Sequence, residues 1–174
     1  MTIFATGNSG TIGRHLSTDV KPILLDLRVP GQGSHFTDFS KKDSLLHLAG
    51  IVGTGIVEAD LDTSYKVNVL GTLRLAKYFL EGAGRKFLYV STSHVYAPSS
   101  QLLSEESEIE AQNSYAEQKL ETELRLLELF ERDLTKLCIV RVFSVLDWDA
   151  APFTLGGAIA KLSDENSEFN LCNG

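Results

Sequence analysis

Three glycines at three-residue spacing, Gly7, Gly10 and Gly13, close the stretch Thr2–Gly13, and no other feature constrains the fold of this chain so tightly. The residues before them, Thr2 to Ala5, form a short apolar run of the kind a buried parallel strand needs. A strand that breaks through glycine into a helix makes three demands. The first glycine must turn tightly, the second must let backbone approach a ligand with no Cβ in the way, and the third must let the helix pack close on the strand. A helix starting near Thr11 would present free N–H groups and a positive dipole end, a seat for a pyrophosphate. Asn8, Ser9, Thr11 and Ile12 belong to the same cradle. The spacing is G-x-x-G-x-x-G rather than G-x-G-x-x-G, and by itself it also describes an ordinary glycine-rich turn.

The next apolar run, Ile23 to Leu27, reads as a second strand closing on Asp26, nineteen residues after Gly7. An acid at that distance is where a carboxylate would accept hydrogen bonds from an adenosine ribose. Leu27 and Arg28 follow directly, and a guanidinium there could pair with a 2′-phosphate. Asp26 argues for NAD, and Arg28 leaves NADP open.

The chain of 174 residues suits one domain. A domain of this size buries roughly 70% of its unfolded surface. The formal charge of -7 argues against nucleic acid as a partner and offers no basic face to an anionic membrane. Cys138 and Cys172 show neither metal-ligand spacing nor a disulfide framework, so they read as reduced thiols of a cytoplasmic protein. The longest apolar region, Leu45 to Val57, is interrupted by three glycines, and it reads as neither signal peptide nor transmembrane helix.

Further along, a brief third strand is expected at His35 to Thr37, with Asp38 and Phe39 at its end, and a fourth at Leu45 to Ala49 running into Gly50. His47 reads as a core histidine, having no partner at metal spacing. Tyr65 to Leu80 and Ser114 to Arg132 have helical periodicity; Gly82 would cap the first, and Ala116, Leu120, Leu124 and Leu127 would be the buried stripe of the second. Lys86 to Ser91 and Leu137 to Phe143 are the fifth and sixth strands. Leu103 to Gln112 is a solvated acidic loop. Leu155 to Leu162 would be a further helix, and Glu168 to Cys172 the opening of another strand. Strands alternating with helices imply an α/β fold, a doubly wound parallel sheet of Rossmann type.

The chemistry is concentrated after the fifth strand. That strand empties into Ser91-Thr92-Ser93, and the helix that follows opens with Tyr115 and Lys119, at i and i+4 and so on one face. Holding a tyrosine ionised at pH 7 takes a shift of about three units, roughly 4 kcal/mol. A neighbouring ammonium and a positively charged nicotinamide would supply part of it. Thr92 would be the hydroxyl that fixes the reacting oxygen against Tyr115.

Taken in this order, the pieces resemble the extended short-chain dehydrogenase/reductase family, in particular its nucleotide-sugar epimerases, dehydratases and reductases. The matching segments are Thr6 to Gly13, Asp38-Phe39, His47 to Gly50, Asn68 to Thr72, Ser91 to Tyr96, Tyr115 to Lys119 and Arg141 to Ser144. The resemblance implies a dinucleotide-binding domain over residues 1–147 that carries the catalytic residues. It also implies an incomplete C-terminal substrate part over 148–174. It implies that Asp38 and Phe39 contact adenine, that Leu48, Ala49 and Gly50 line the dinucleotide, that Asn68 holds the fourth helix in register near the site and belongs to it, and that Ser91 and Val142 contribute to it as well. Thr92 would be the catalytic hydroxyl, with Tyr115 and Lys119 as the acid/base pair that also touches the cofactor.

Members that eliminate water carry Asp-Glu directly after the catalytic threonine, where this chain has Ser93-His94, so epimerase or reductase is favoured over dehydratase. Gln118 stands where Ser or Thr is usual, and Val52 replaces a polar residue found in some epimerases. The resemblance thus implies an NAD- or NADP-dependent epimerase of the UDP-galactose 4-epimerase kind acting on a nucleotide-sugar. The alternatives are a 4-keto reductase and a catalytically silent dinucleotide-binding module. Pairing through the two long helices would suit a homodimer.

Overall fold

The computed structural model describes residues 1–29 and 39–145. Five strands, β1 (Ile3–Thr6), β2 (Val20–Pro22), β3 (Ser44–His47), β4 (Lys86–Thr92) and β5 (Leu137–Val142), form one sheet in the order β2-β1-β3-β4-β5. Every pairing is parallel. The chain therefore steps to one side of β1 for its second strand and to the other for its third. Ligands of open α/β sheets bind where the order reverses in this way, beyond the carboxyl ends of β1 and β3.

The helices are α1 (Thr54–Ala59), α2 (Leu61–Tyr65), α3 (Thr72–Glu81) and α4 (Ser114–Leu129). A π-helical turn, Lys66–Gly71, joins α2 to α3, so the expected helix Tyr65 to Leu80 is a continuous run whose hydrogen bonding changes at its start. Gly71 allows the run to pass close to the loop after β2, because a Cβ there would lie 2.8 Å from Leu27 Cβ. A file of aromatic rings carries the core: Phe4 to Phe39 at 5.5 Å, Phe39 to Phe79 at 5.3 Å, Phe79 to Phe87 at 5.5 Å and Phe87 to Phe130 at 5.8 Å between centroids. These elements make a compact unit, Met1–Val142.

Three expectations are corrected. The second strand is Val20–Pro22, not Ile23 to Leu27; among the described residues it is the edge of the sheet, where Pro22 is tolerated because its missing N–H points away from β1. The ladder ends one bond later, where Ile23 N donates to Ala5 O at 2.7 Å, and Asp26 lies in the loop beyond. The helix expected near Thr11 is a single 3-10 turn, Gly13–His15. The buried face of α4 consists of Ala116, Gln118, Lys119, Thr122, Glu123 and Leu126, whereas Leu124 and Leu127 are 55% and 43% exposed. The expected strand His35 to Thr37, Asp38, the boundary at 147 and everything expected beyond it lie outside the described residues.

Candidate active site

The glycine turn sits at the reversal point. Gly7 ends β1 with φ +74°, and a Cβ on it would stand 2.6 Å from Ala49 N and 2.8 Å from the Leu48 carbonyl carbon. Only glycine permits both the conformation and the approach of the two strand ends. Gly13 is held as tightly from the other side, since its Cβ would fall 2.1 Å from Gly7 O. Gly10 differs. The nearest atom to a Cβ there is Gly7 O at 3.3 Å, so the packing among the described residues asks little of this position. The N–H groups of Ser9, Thr11 and Ile12 bond to nothing among the described residues. Asn8 Oδ1, in the same loop, and Ser91 Oγ, at the end of β4, are buried with no hydrogen-bond partner among them. Orphaned polar groups of this sort are rare in folded proteins and fit a ligand that would complete them. With so short a turn after the loop, anion binding would rest on those N–H groups rather than on a helix dipole.

A cavity of about 250 Å³ opens beside the turn, lined by Asp26, Leu27, Arg28, Ala49 and Gly50. Leu25, Ile51, Thr63 and Val67 complete it; no motif marked these four in the sequence. Asp26 and Arg28 are locked together: Arg28 Nε donates to Oδ1 at 2.9 Å, Nη2 to Oδ2 at 2.8 Å, and the Arg28 backbone N–H to Oδ1 at 3.0 Å. Those bonds hold the carboxyl of Asp26 below its usual range. Phe39 turns its ring into the core, 6% exposed, so any adenine contact from this residue would come from its backbone.

Behind the crevice wall stands a buried polar frame. Thr6 Oγ1 accepts from Ala49 N at 3.2 Å and lies 2.6 Å from His47 Nδ1, while His47 Nε2 lies 2.9 Å from Thr72 Oγ1. Burial pushes the imidazole down to about 3, with the Lys119 charge adding to the effect. His47 is thus a neutral core histidine, as its isolation in sequence suggested. Asn68, which the resemblance placed among the cofactor contacts, is engaged entirely with protein: Oδ1 accepts from Ile51 N at 2.8 Å, and Nδ2 donates to Ile51 O and to Gln118 Oε1, each at 2.9 Å. It is 2% exposed and acts by fixing the Gly50-Ile51 turn.

α4 starts where Asn113 Oδ1 accepts from Ala116 N at 2.9 Å, a cap that sets Tyr115 and Lys119 in the first two turns. The next amide, Gln118, carries the frame onward, Nε2 donating to Ser64 Oγ at 2.9 Å. Lys119 is 6% exposed and donates to Val90 O of β4 at 2.7 Å; its Nζ lies 4.6 Å from the Tyr89 ring centroid and 6.0 Å from that of Tyr115. Burial pushes its amine down to about 8. Two residues beyond Val90, Thr92 caps a 3-10 turn, Ser93–Val95, by accepting from His94 N at 3.3 Å, which leaves its hydroxyl proton to donate elsewhere. Val142 is paired with Thr92 across the sheet. Tyr115 departs from expectation. Burial pushes its phenol up to about 12, the opposite direction to the lowering that a neighbouring ammonium and a bound nicotinamide would give, so the phenol is protonated at neutral pH.

A family model described as NAD dependent epimerase/dehydratase family matches residues 3–146. The chain belongs to that family. Among solved structures it is similar to RMD from Pseudomonas aeruginosa complexed with NADPH (TM-score 0.74, 24% identity, 88% of this chain and 57% of that one). It is similar also to DesIV, a dTDP-glucose 4,6-dehydratase from Streptomyces venezuelae with NAD and TYD bound (0.79, 18%, 97% and 64%). A third is UDP-glucuronic acid 4-epimerase from Bacillus cereus in complex with NAD (0.77, 21%, 95% and 63%). The chain thus spans between 57% and 64% of the length of these proteins. No curated protein matches the sequence. Among the described residues there is no cluster of side chains able to hold a metal ion, and no helix is long and apolar enough to cross a membrane.

Proposed function

We propose that this protein is an NAD(P)-dependent nucleotide-sugar epimerase of the UDP-galactose 4-epimerase kind. Two observations carry the reading: a glycine turn with an orphaned polar group after β1, and a buried Lys119 beside Tyr115 that donates to Val90 O near the carboxyl end of β4. The dinucleotide, held by Gly7 to Gly13, Asp26 to Arg28 and Leu48 to Gly50, would supply the hydride acceptor and donor. Tyr115 would exchange a proton with the sugar oxygen. Thr92, whose oxygen already accepts from His94 N, keeps its hydroxyl proton to donate to the same oxygen and orient it. Lys119, charged below about pH 8, would stabilise the phenolate when the proton leaves.

A 4-keto reductase is the second reading: burial raises the Tyr115 phenol, and a protonated phenol is what a carbonyl oxygen being reduced would need, in a reductase as in the second half of an epimerisation. The two separate in one assay on a panel of nucleotide-sugars. An epimerase interconverts isomers with no added reductant; a reductase consumes NAD(P)H mole for mole. Absence of both activities, with dinucleotide binding retained, would favour the silent binding module. Ser93-His94 in place of an acid pair still argues against water elimination. The bidentate Asp26–Arg28 pair keeps both cofactors in play, because a ribose hydroxyl would meet the carboxylate and a 2′-phosphate the guanidinium. The proposal retains a cytoplasmic location and a homodimer, for which Leu124 and Leu127 lie exposed on α4.

A further inference from the structure

Lys119 and Glu123 lie one turn apart on the inward face of α4, 6% and 2% exposed. The Glu123 carboxylate accepts from Arg141 of β5: Nε donates to its oxygens at 3.2 and 3.1 Å, and Nη2 donates to Oε2 at 2.7 Å. Arg141 pairs in register with Ser91 of β4, and its guanidinium covers the Tyr96 ring at 4.8 Å. A buried ion pair of this kind adds little net stability, since desolvation offsets the attraction, and apolar side chains of similar volume would often serve as well. Its position suggests a different use. The titratable groups facing Lys119 are Tyr115 and Glu123 from α4, Tyr89 from β4 and His47 from β3, with Arg141 of β5 behind Glu123. Both phenols are pushed up by burial and the imidazole is neutral, so Glu123, held by the Arg141 guanidinium, is the one carboxylate among them.

We propose that Glu123, anchored by Arg141, is the positioning residue that keeps the Lys119 ammonium ionised in a site otherwise too dry to hold it. Burial lowers the affinity of Lys119 for its proton, and the Glu123 carboxylate is the group that opposes this. Arg141 shares the carboxylate and thereby limits how much of its charge reaches the amine. The functional meaning rests on the reading of Lys119 given above; the coupling itself does not.

The test reads the amine directly. The 174-residue chain, labelled with 13C at the lysine ε carbon, is titrated by NMR, and the Lys119 signal is assigned by its disappearance in Lys119→Met. Glu123→Gln keeps an acceptor for Arg141 and removes the charge; the Lys119 midpoint should fall by about one pH unit or more. Arg141→Gln frees the carboxylate, and the midpoint should rise. Opposite signs are the signature, because general loosening of the site would move both variants the same way. An unchanged midpoint in Glu123→Gln, or shifts of one sign in both, overturns the proposal. If Glu123→Gln does not fold, the double variant Glu123→Leu/Arg141→Leu, which removes the pair whole, is compared with Arg141→Gln: a lower Lys119 midpoint in the double variant supports the proposal, and an equal or higher one overturns it. Failure of the chain to turn over any nucleotide-sugar would count against the functional reading and leave this titration standing.

Discussion

Asn68 and Gln118 meet amide to amide at 2.9 Å, and through that bond the π-helical turn behind Gly50 and Ile51 is fastened to the helix that carries Tyr115. Gln118 passes the connection on to Ser64 of α2. Gln118→Ala would leave a buried Asn68 donor without its partner, at a cost of about 1–3 kcal/mol. Urea unfolding should show this loss. A variant as stable as the parent would mean that water takes over the role and that the frame is not what holds α4.

The three glycines should respond differently to the same methyl group. Gly13→Ala drives a Cβ to 2.1 Å from Gly7 O and 2.6 Å from Asn8 Cα, so backbone must move and the thermal midpoint should drop by several degrees. Gly10→Ala meets only Gly7 O, at 3.3 Å, and should melt close to the parent while binding dinucleotide roughly tenfold more weakly. Equal loss of stability in both would remove the distinction between a structural and a ligand-facing glycine.

His47 supplies an acid-side weakness. Its folded value of about 3 lies below the ordinary 6.5, so between these limits the unfolded chain binds the proton and the folded chain does not. Stability from this residue is therefore intact above 6.5 and is lost as pH falls toward 3, by up to ~1.4 kcal/mol per unit. His47→Gln should flatten that part of the profile in urea titrations run from pH 7 to pH 4. An identical slope in the variant would mean that other groups carry the acid sensitivity.

Lys119 carries the opposite kind of cost. Its value of about 8, against the ordinary 10.5, penalises folding fully below pH 8 and not at all above 10.5. Lys119→Met should therefore be more stable at pH 7 by roughly 1–3 kcal/mol, an advantage that shrinks as pH rises from 8 to 10.5, while turnover is lost. A Lys119→Met protein less stable than the parent at pH 7 would show that the Val90 bond outweighs the buried charge.

The parallel sheet, the glycine turn and the two principal helices could be read from the chain because each leaves a local signature: apolar runs, fixed glycine spacing and 3.6-residue periodicity. The strand Val20–Pro22 left none, since Lys21 and Pro22 look like a turn, and it forms by pairing with β1. Leu124 and Leu127 misled for a related reason. Apolar spacing reports what a helix could bury, and α4 instead turns Gln118, Lys119, Thr122 and Glu123 toward the sheet, each engaged by a partner in a distant segment or by its own backbone. The upward shift of Tyr115 was equally hidden, because burial depends on neighbours that no local pattern encodes.

A dinucleotide seated in the crevice at the reversal of the sheet, with Tyr115 at its reacting end, is the arrangement on which the chemistry depends. Calorimetric titration of the 174-residue chain with NAD and with NADP, in the parent, Tyr115→Phe and Gly10→Ala forms, measures this. One saturable site per chain is expected, with Tyr115→Phe within about threefold of the parent and Gly10→Ala weaker at an unchanged melting temperature. No saturable binding of either dinucleotide, or Gly10→Ala binding as the parent does, would contradict it.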